Sequence, residues 1–215
     1  MAVTPSGKVL LAICKEALFT KAEGTTNWIL DTNIFFANSN NDAISTTFLE
    51  TASEYVCVIA APSYVLKKWI NGSGASDIVQ NDPLVFGTVP IAKSVCTAAS
   101  RIIALVHPHT LRWTKTLRYD SWPALAIAKI AQTNDIGICV RSLGTLTFVI
   151  YKERSIYLAR AQAGSDANAF NIQFVQAVEG PAGIHAVVDV QGTHIYMTKN
   201  GRVGVFDGTS QVQFI

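Results

Sequence analysis

The chain has 215 residues and a formal net charge of +2. That is enough length for one or two domains with a substantial core, and too little charge to support nucleic-acid binding through counterion release. Charged residues make up 15% of the chain, against about 25% in typical domains. Either part of the surface is buried against other chains, or the surface is rich in Ser, Thr and Asn.

In chain order the expected elements are short strands. The opening MAVTPSGKVLLAICKE holds the apolar run VLLAI, too short for a secretory signal. KVLLAI, ALFTK and NWIL read as strands and IFFANS follows, so the first unit is expected to lack an opening strand. AISTTFLE, EYVCVIA, YVLKKWI and SDIVQ make a second set. IAKSVCTAA and RIIALV come next, then HPH turns the chain into TLRWTKT. ALAIAKIAQ (124–132) completes that set; its composition suits a helix, but its neighbours argue for a strand. IGICVRS, LTFVIYK, IYLARAQ and FNIQFVQAV form the clearest set, with β-branched and aromatic residues in each. In the last of these Phe170, Ile172 and Phe174 alternate, and Val175 and Val178 follow after a slip. That is the pattern of an outer strand with one buried face. IHAVVDV, the turn QG, THIYMTK, the turn Asn200-Gly201 and RVGVFDG close the series, and QVQFI begins a further strand. Asn-Gly between strands is a strong hairpin signal because both residues tolerate positive φ. No stretch approaches a membrane-spanning helix in length, so the expected product is soluble in the cytoplasm that makes it.

One phrase recurs five times: an apolar strand, a turn, and a second strand carrying an aromatic residue. The aromatics are Phe19, Trp69, Trp113, Tyr157 and Phe206, at intervals of 50, 44, 44 and 49 residues. A period of about 47 residues falls in the range of four-stranded propeller blades. The expected fold is therefore all-β: a complete or partial β-propeller of about five four-stranded blades in a single domain over 1–215, with units near 1–42, 43–90, 91–133, 134–180 and 181–215.

No motif fixes a reaction, and the expectation is a protein that is not an enzyme and carries no catalytic residues, cofactor or metal. His107-Pro108-His109 has the spacing of two metal ligands, but the proline marks a turn and no Asp, Glu or Cys lies nearby in sequence. His185 and His194 stand on expected strands with no motif around them. Cys14, Cys57, Cys96 and Cys139 form no CxxC pair, and Cys96 and Cys139, in apolar runs of neighbouring units, read as small buried thiols. Lys67-Lys68 and the group Arg112, Lys115, Arg118 read as solvated strand faces. Lys152-Glu153-Arg154-Ser155 reads as a solvated hairpin turn. Trp28, Trp69, Trp113 and Trp122 invite a sugar-stacking hypothesis; against it, Trp69 and Trp113 occupy equivalent repeat positions and fill the space between blades.

The stretch LGTLTFVIYKERSIYLARA and the following QFVQAVEGPAGIHAVVDVQGTHIYMTKNGRVGVFDG resemble the β-propeller tail-hub or nozzle (tail accessory) proteins of short-tailed bacteriophages. Lys152, Arg154, Ser155, Ile156 and Tyr157 match the first part of the family phrase, and Gly180, Gly192, Gly201, Phe206, Asp207 and Gly208 the second. YVLKKWINGS and the stretch ending at Trp122 (RIIALVHPHTLRWTKTLRYDSW) extend the likeness over most of 54–208. Family members are usually longer, with added domains. The resemblance implies a structural virion protein of tail, neck or hub: a rigid connector, a possible component of the DNA channel, a homo-oligomer in an assembly, with portal, adaptor or tail proteins as partners. The alternatives are a carbohydrate-binding propeller and a cellular protein-interaction scaffold; the ligand-binding residues stay unassigned.

Overall fold

The computed structural model describes residues 2–4, 7–33, 36, 43–70, 73–209 and 211–215. Its strands form five four-stranded sheets, each a meander of consecutive antiparallel strands. The first sheet holds β1 (Ala2–Thr4), β2 (Gly7–Ile13), β3 (Ala17–Ala22) and β4 (Ile29–Asn33). The second holds β5 (Ser45–Glu50), β6 (Tyr55–Ala60), β7 (Lys67–Ile70) and β8 (Gly74–Asp77). The third holds β9 (Ser94–Ala98), β10 (Arg101–Val106), β11 (Thr110–Trp113) and β12 (Ile127–Lys129). The fourth holds β13 (Gly137–Ser142), β14 (Thr147–Lys152), β15 (Ile156–Ala161) and β16 (Phe170–Gln176), and the fifth β17 (Val187–Val190), β18 (Thr193–Met197), β19 (Val203–Phe206) and β20 (Gln213–Phe214). Among the described residues no helix is long and apolar enough to cross a membrane.

Strand alternation sends successive side chains to opposite faces, and here both faces of the middle sheets are apolar. Ile102 and Ala104 pack toward the second sheet with Val56, Val58 and Val95. Their neighbours Ile103 and Leu105 pack toward the fourth with Phe148, Ile150 and Tyr157. The same logic joins the first sheet to the second through Leu18, Cys57, Ile59 and Trp69, and the fourth to the fifth through Val149, Tyr151, Tyr196 and Phe206. The opening strands lie innermost, with β9 against both β5 and β13. Among the described residues no core cluster joins the fifth sheet to the first. The sheets are the blades of an open β-propeller.

Inner strands of neighbouring blades do not share a ladder, so side chains bridge them. Thr97 Oγ1 donates to Phe48 O at 2.7 Å, Ser142 Oγ to Thr97 O at 2.7 Å, and His194 Nε2 to Ser142 O at 2.7 Å. The third, fourth and fifth blades thus each reach back to a carbonyl of the one before. In a second series the Val95 N–H donates to Ser45 Oγ at 3.1 Å and the Val140 N–H to Ser94 Oγ at 3.3 Å. These residues are buried or nearly so, where an unmade hydrogen bond costs roughly 1–3 kcal/mol.

Several expectations are corrected. The first blade does have an opening strand: β1 pairs with β2 through Ala2↔Val9 and Thr4↔Gly7. IFFANS lies largely outside the described residues; Phe36 is described, and it is buried. SDIVQ contributes only its first two residues to β8, and ALAIAKIAQ is a strand over just Ile127–Lys129. The slip in the outer strand of the fourth blade is a bulge, with Ile156 opposite Gln176 and Tyr157 opposite Phe174, leaving Val175 as the extra residue. The turn with two positive φ values in the last blade is Gln191-Gly192 (53° and 79°), whereas at Asn200-Gly201 only the glycine is positive (77°).

The repeated aromatics are not equivalent in space. Trp69, Tyr157 and Phe206 face the preceding blade, and Trp113 faces the following one. Trp113 pairs with Ile103, and its indole N–H donates to Asp166 O at 2.6 Å. The space between the second and third blades is filled instead by Trp122, from the loop between β11 and β12. In the first blade Phe19 is only half-buried and Leu18 takes the core position.

Candidate functional site

Lys152 is 1% exposed, and Ser155 is fully buried, so half of the expected solvated turn points inward. The Lys152 ammonium donates to Thr133 O at 2.7 Å, Thr133 Oγ1 at 2.8 Å and Ile130 O at 3.2 Å, and lies 3.1 Å from Asp135 Oδ1. Asp135 also accepts from the Arg154 N–H at 2.7 Å and from Ser155 Oγ at 2.9 Å. Partial burial opposes its charge, but hydrogen bonds from Thr133, the Arg154 N–H, Lys152 and Ser155 outweigh that and hold its carboxyl at about 2. This network fixes the turn between β14 and β15 and leaves Glu153 and Arg154 standing out from it.

The linker from the fourth blade to the fifth runs beside the same turn. The Val178 N–H donates to Arg154 O at 3.0 Å, and the Gly180 N–H to Glu153 O at 3.0 Å. A Cβ at Gly180 would lie 1.9 Å from Lys152 O, so only glycine lets the linker pass this close. Across the linker, the turn between β18 and β19 brings Lys199 to 3.8 Å from Glu153, and Asn200 Nδ2 donates to Glu179 Oε1 at 2.8 Å. Together they line a cleft of about 670 Å³, with Val178 and Pro181 supplying apolar floor.

Three smaller cavities open on loops of the same kind. One of about 390 Å³ lies beside Asp135 and Arg154. One of about 420 Å³ lies between Pro62, Lys93 and His107. One of about 280 Å³ sits where segments leading into the inner strands converge, with Lys93, Glu153 and Lys199 on its wall. The turns that join the second and third strands of each blade and the links between blades make one face; the cavities belong to that face. It presents mixed charge over exposed backbone, which suits an extended polypeptide.

The side chains singled out from the sequence fall elsewhere. His107 is exposed in its turn and His109 half-buried; His185 lies in the loop before β17, exposed rather than on a strand. His194 is buried between the fourth and fifth blades. Ser142 O only accepts, so His194 carries its proton on Nε2, and Nδ1 accepts from Tyr151 O–H at 2.9 Å. Burial lowers its pKa. All four cysteines are free thiols, and burial pushes Cys57 and Cys139 up to about 12, which leaves them unreactive. Trp69 and Trp113 are 1% and 2% exposed, so neither offers an indole face to a sugar. Trp122 is fully buried and Trp28 is exposed. Among the described residues no group of three His, Cys, Asp or Glu side chains is placed to hold a metal ion.

Fold and face define a β-propeller with a cleft-bearing loop face. No protein family matches the chain, and no curated protein matches it. Solved structures do. It is similar to PorZ of Porphyromonas gingivalis, an essential bacterial surface component of the type-IX secretion system, at 13% identity and a TM-score of 0.53; the match covers 98% of this chain and 27% of PorZ. It is similar to YCF48, solved bound to a D1 peptide, at 12% identity and a TM-score of 0.53 over 97% of this chain and 71% of that one. BamB of Moraxella catarrhalis is matched at 12% identity and a TM-score of 0.48, over 93% of this chain and 61% of that one.

Proposed function

We propose that this propeller is a non-enzymatic docking module, a rigid connector that receives a polypeptide partner on the face carrying Glu153, Arg154 and Lys199. The observation that carries this reading is the cleft of about 670 Å³ between the fourth and fifth blades. Its walls are turn and linker backbone with opposed charges. YCF48, similar in fold, was solved with a peptide bound. The low charged fraction of 15% fits a chain whose surface is partly covered by partners.

The assembly that the sequence resemblance favours is the tail, neck or hub of a short-tailed phage, with portal, adaptor or tail proteins as partners, more than one copy of the chain, and DNA passing near the propeller axis. The test has two parts. Electron microscopy and mass spectrometry of purified particles should locate the chain in the virion; its absence from particles sinks that form of the proposal. A photo-crosslinking residue at Arg154 should then capture one partner, and the same residue at Gln191, on the turns of the opposite face, should not. Equal capture from both positions overturns the assignment of the face.

A further inference from the structure

The cavity of about 280 Å³ is lined by Lys93, Glu153, Gly183 and Lys199. It lies at the mouth of the propeller axis, because Ala43, Lys93 and Ile138 on its wall lead into the inner strands of three different blades. Lys93 is half-buried and donates to Gly137 O at 3.1 Å. Among the described residues no carboxylate lies within ion-pairing distance of it. An ammonium has three donors, and a partly buried charge with no direct ion pair is costly. The chain spends that free energy at the point where four blades converge.

The charges around the mouth are two ammonium groups, Lys93 and Lys199, and one carboxylate, Glu153, which leaves one positive charge unmatched. A single carboxylate neutralises it. A phosphate, carrying about −1.5 to −2, overshoots and meets Glu153. Neither lysine offers the planar fork that selects phosphate in bidentate fashion. We propose that the axial mouth binds a carboxylate of the polypeptide partner between Lys93 and Lys199, an inference that rests on the docking reading above. The carboxylate comes from the partner's C-terminus or from an acidic side chain.

Fluorescence anisotropy on the full chain tests this with three short labelled probes: a Gly-Ser peptide with a free C-terminal carboxylate, its C-terminal amide, and an amidated glutamate-rich peptide. At least one carboxylate-bearing probe should bind and the Gly-Ser amide should not. Binding of the free-terminus peptide assigns the C-terminus; binding of the amidated glutamate peptide assigns side chains. Lys93→Met should weaken binding roughly tenfold or more, and Lys199→Met by about threefold, since its ammonium is the more exposed. Glu153→Gln should tighten binding, because it removes the opposing charge. If Lys93→Met fails to fold by circular dichroism, the two variants on outer turns decide. The proposal is overturned if neither carboxylate probe binds, if folded Lys199→Met and Glu153→Gln bind like the parent, or if inorganic phosphate binds the mouth as tightly as the peptides do. A negative result with cross-linking at Arg154 retained removes the carboxylate site and leaves the docking face standing; loss of both removes both.

Discussion

Replacing Asp135 by Asn tests the anchor under the cleft. The Lys152 ammonium is 1% exposed and lies 3.1 Å from Asp135 Oδ1. Without the carboxylate, a buried positive charge keeps only its neutral oxygen partners, and breaking one side of such a pair costs about 3–5 kcal/mol. Lys152→Met removes the charge that needs compensation. It leaves Asp135 still bonded to the Arg154 N–H and Ser155, but it leaves Ile130 O and Thr133 O without their donor, for about 1–3 kcal/mol. The double variant Lys152→Met/Asp135→Asn should be less destabilised than the sum of the two by at least about 1 kcal/mol, within the usual range for groups in contact. Urea unfolding followed by tryptophan fluorescence measures all four proteins, with the slopes compared to check that the transition stays cooperative. The pH dependence follows the same group. Its folded-state value, about 2, lies below the unfolded value near 3.8. Its contribution is therefore complete above about pH 5 and is lost as pH falls through that window toward 2. Asp135→Asn should flatten this acid limb. Additive single and double variants, within about 0.5 kcal/mol, would refute the claim that the ion pair holds the turn.

His194 gives a second pH window. Burial lowers its pKa below 6.5, so the unfolded chain takes up the proton first, and stability should fall as pH drops below about 6.5. Thermal melts at pH 7.5 and 5.5 should show this in the parent and not in His194→Gln. Gly180→Ala drives a methyl to 1.9 Å from Lys152 O; a loss of about 2–4 kcal/mol in unfolding free energy is expected, and a neutral result would show that the linker shifts freely. Ala99 and Ser100 both hold positive φ, 50° and 55°, in the turn between β9 and β10. Ala99→Asn/Ser100→Gly should raise stability by about 0.5–2 kcal/mol, read as an upward shift in the urea midpoint.

The blade was legible because four-strand spacing and recurrent aromatics are local signals. Val175 even marked its own bulge, as a break in alternation. What escaped were matters of parity and partnership. Trp113 differs from Trp69 by the face its strand presents, and one residue of register decides that; the repeat interval does not record it. β1 is only three residues long, so no periodicity announces it. Lys152 looked solvated because charge in a turn normally is, and the oxygens that bury it come from the link at 130–135, outside the hairpin. The cleft face combines turns and linkers from different blades, each unremarkable alone, so nothing in the linear chain brought Glu153, Lys199 and Lys93 together. Ser45, Ser94, Thr97 and Ser142 carry no signal beyond ordinary strand polarity, because their hydrogen-bond partners stand on neighbouring blades.

The third, fourth and fifth blades are each tied to a carbonyl of their predecessor through Thr97, Ser142 and His194, with Ser45 and Ser94 closing two of the same seams. Such a stack behaves as a row of neighbours rather than as one undivided core. Among the described residues the second, third and fourth blades are gripped from both sides by apolar clusters, and the first and fifth from one. Amide protection should therefore be deepest around β9 and β13 and thin toward the termini. A partner that lays its chain along the free flank of an end blade would supply the missing grip, and binding would register far from the contact as slower exchange throughout that blade.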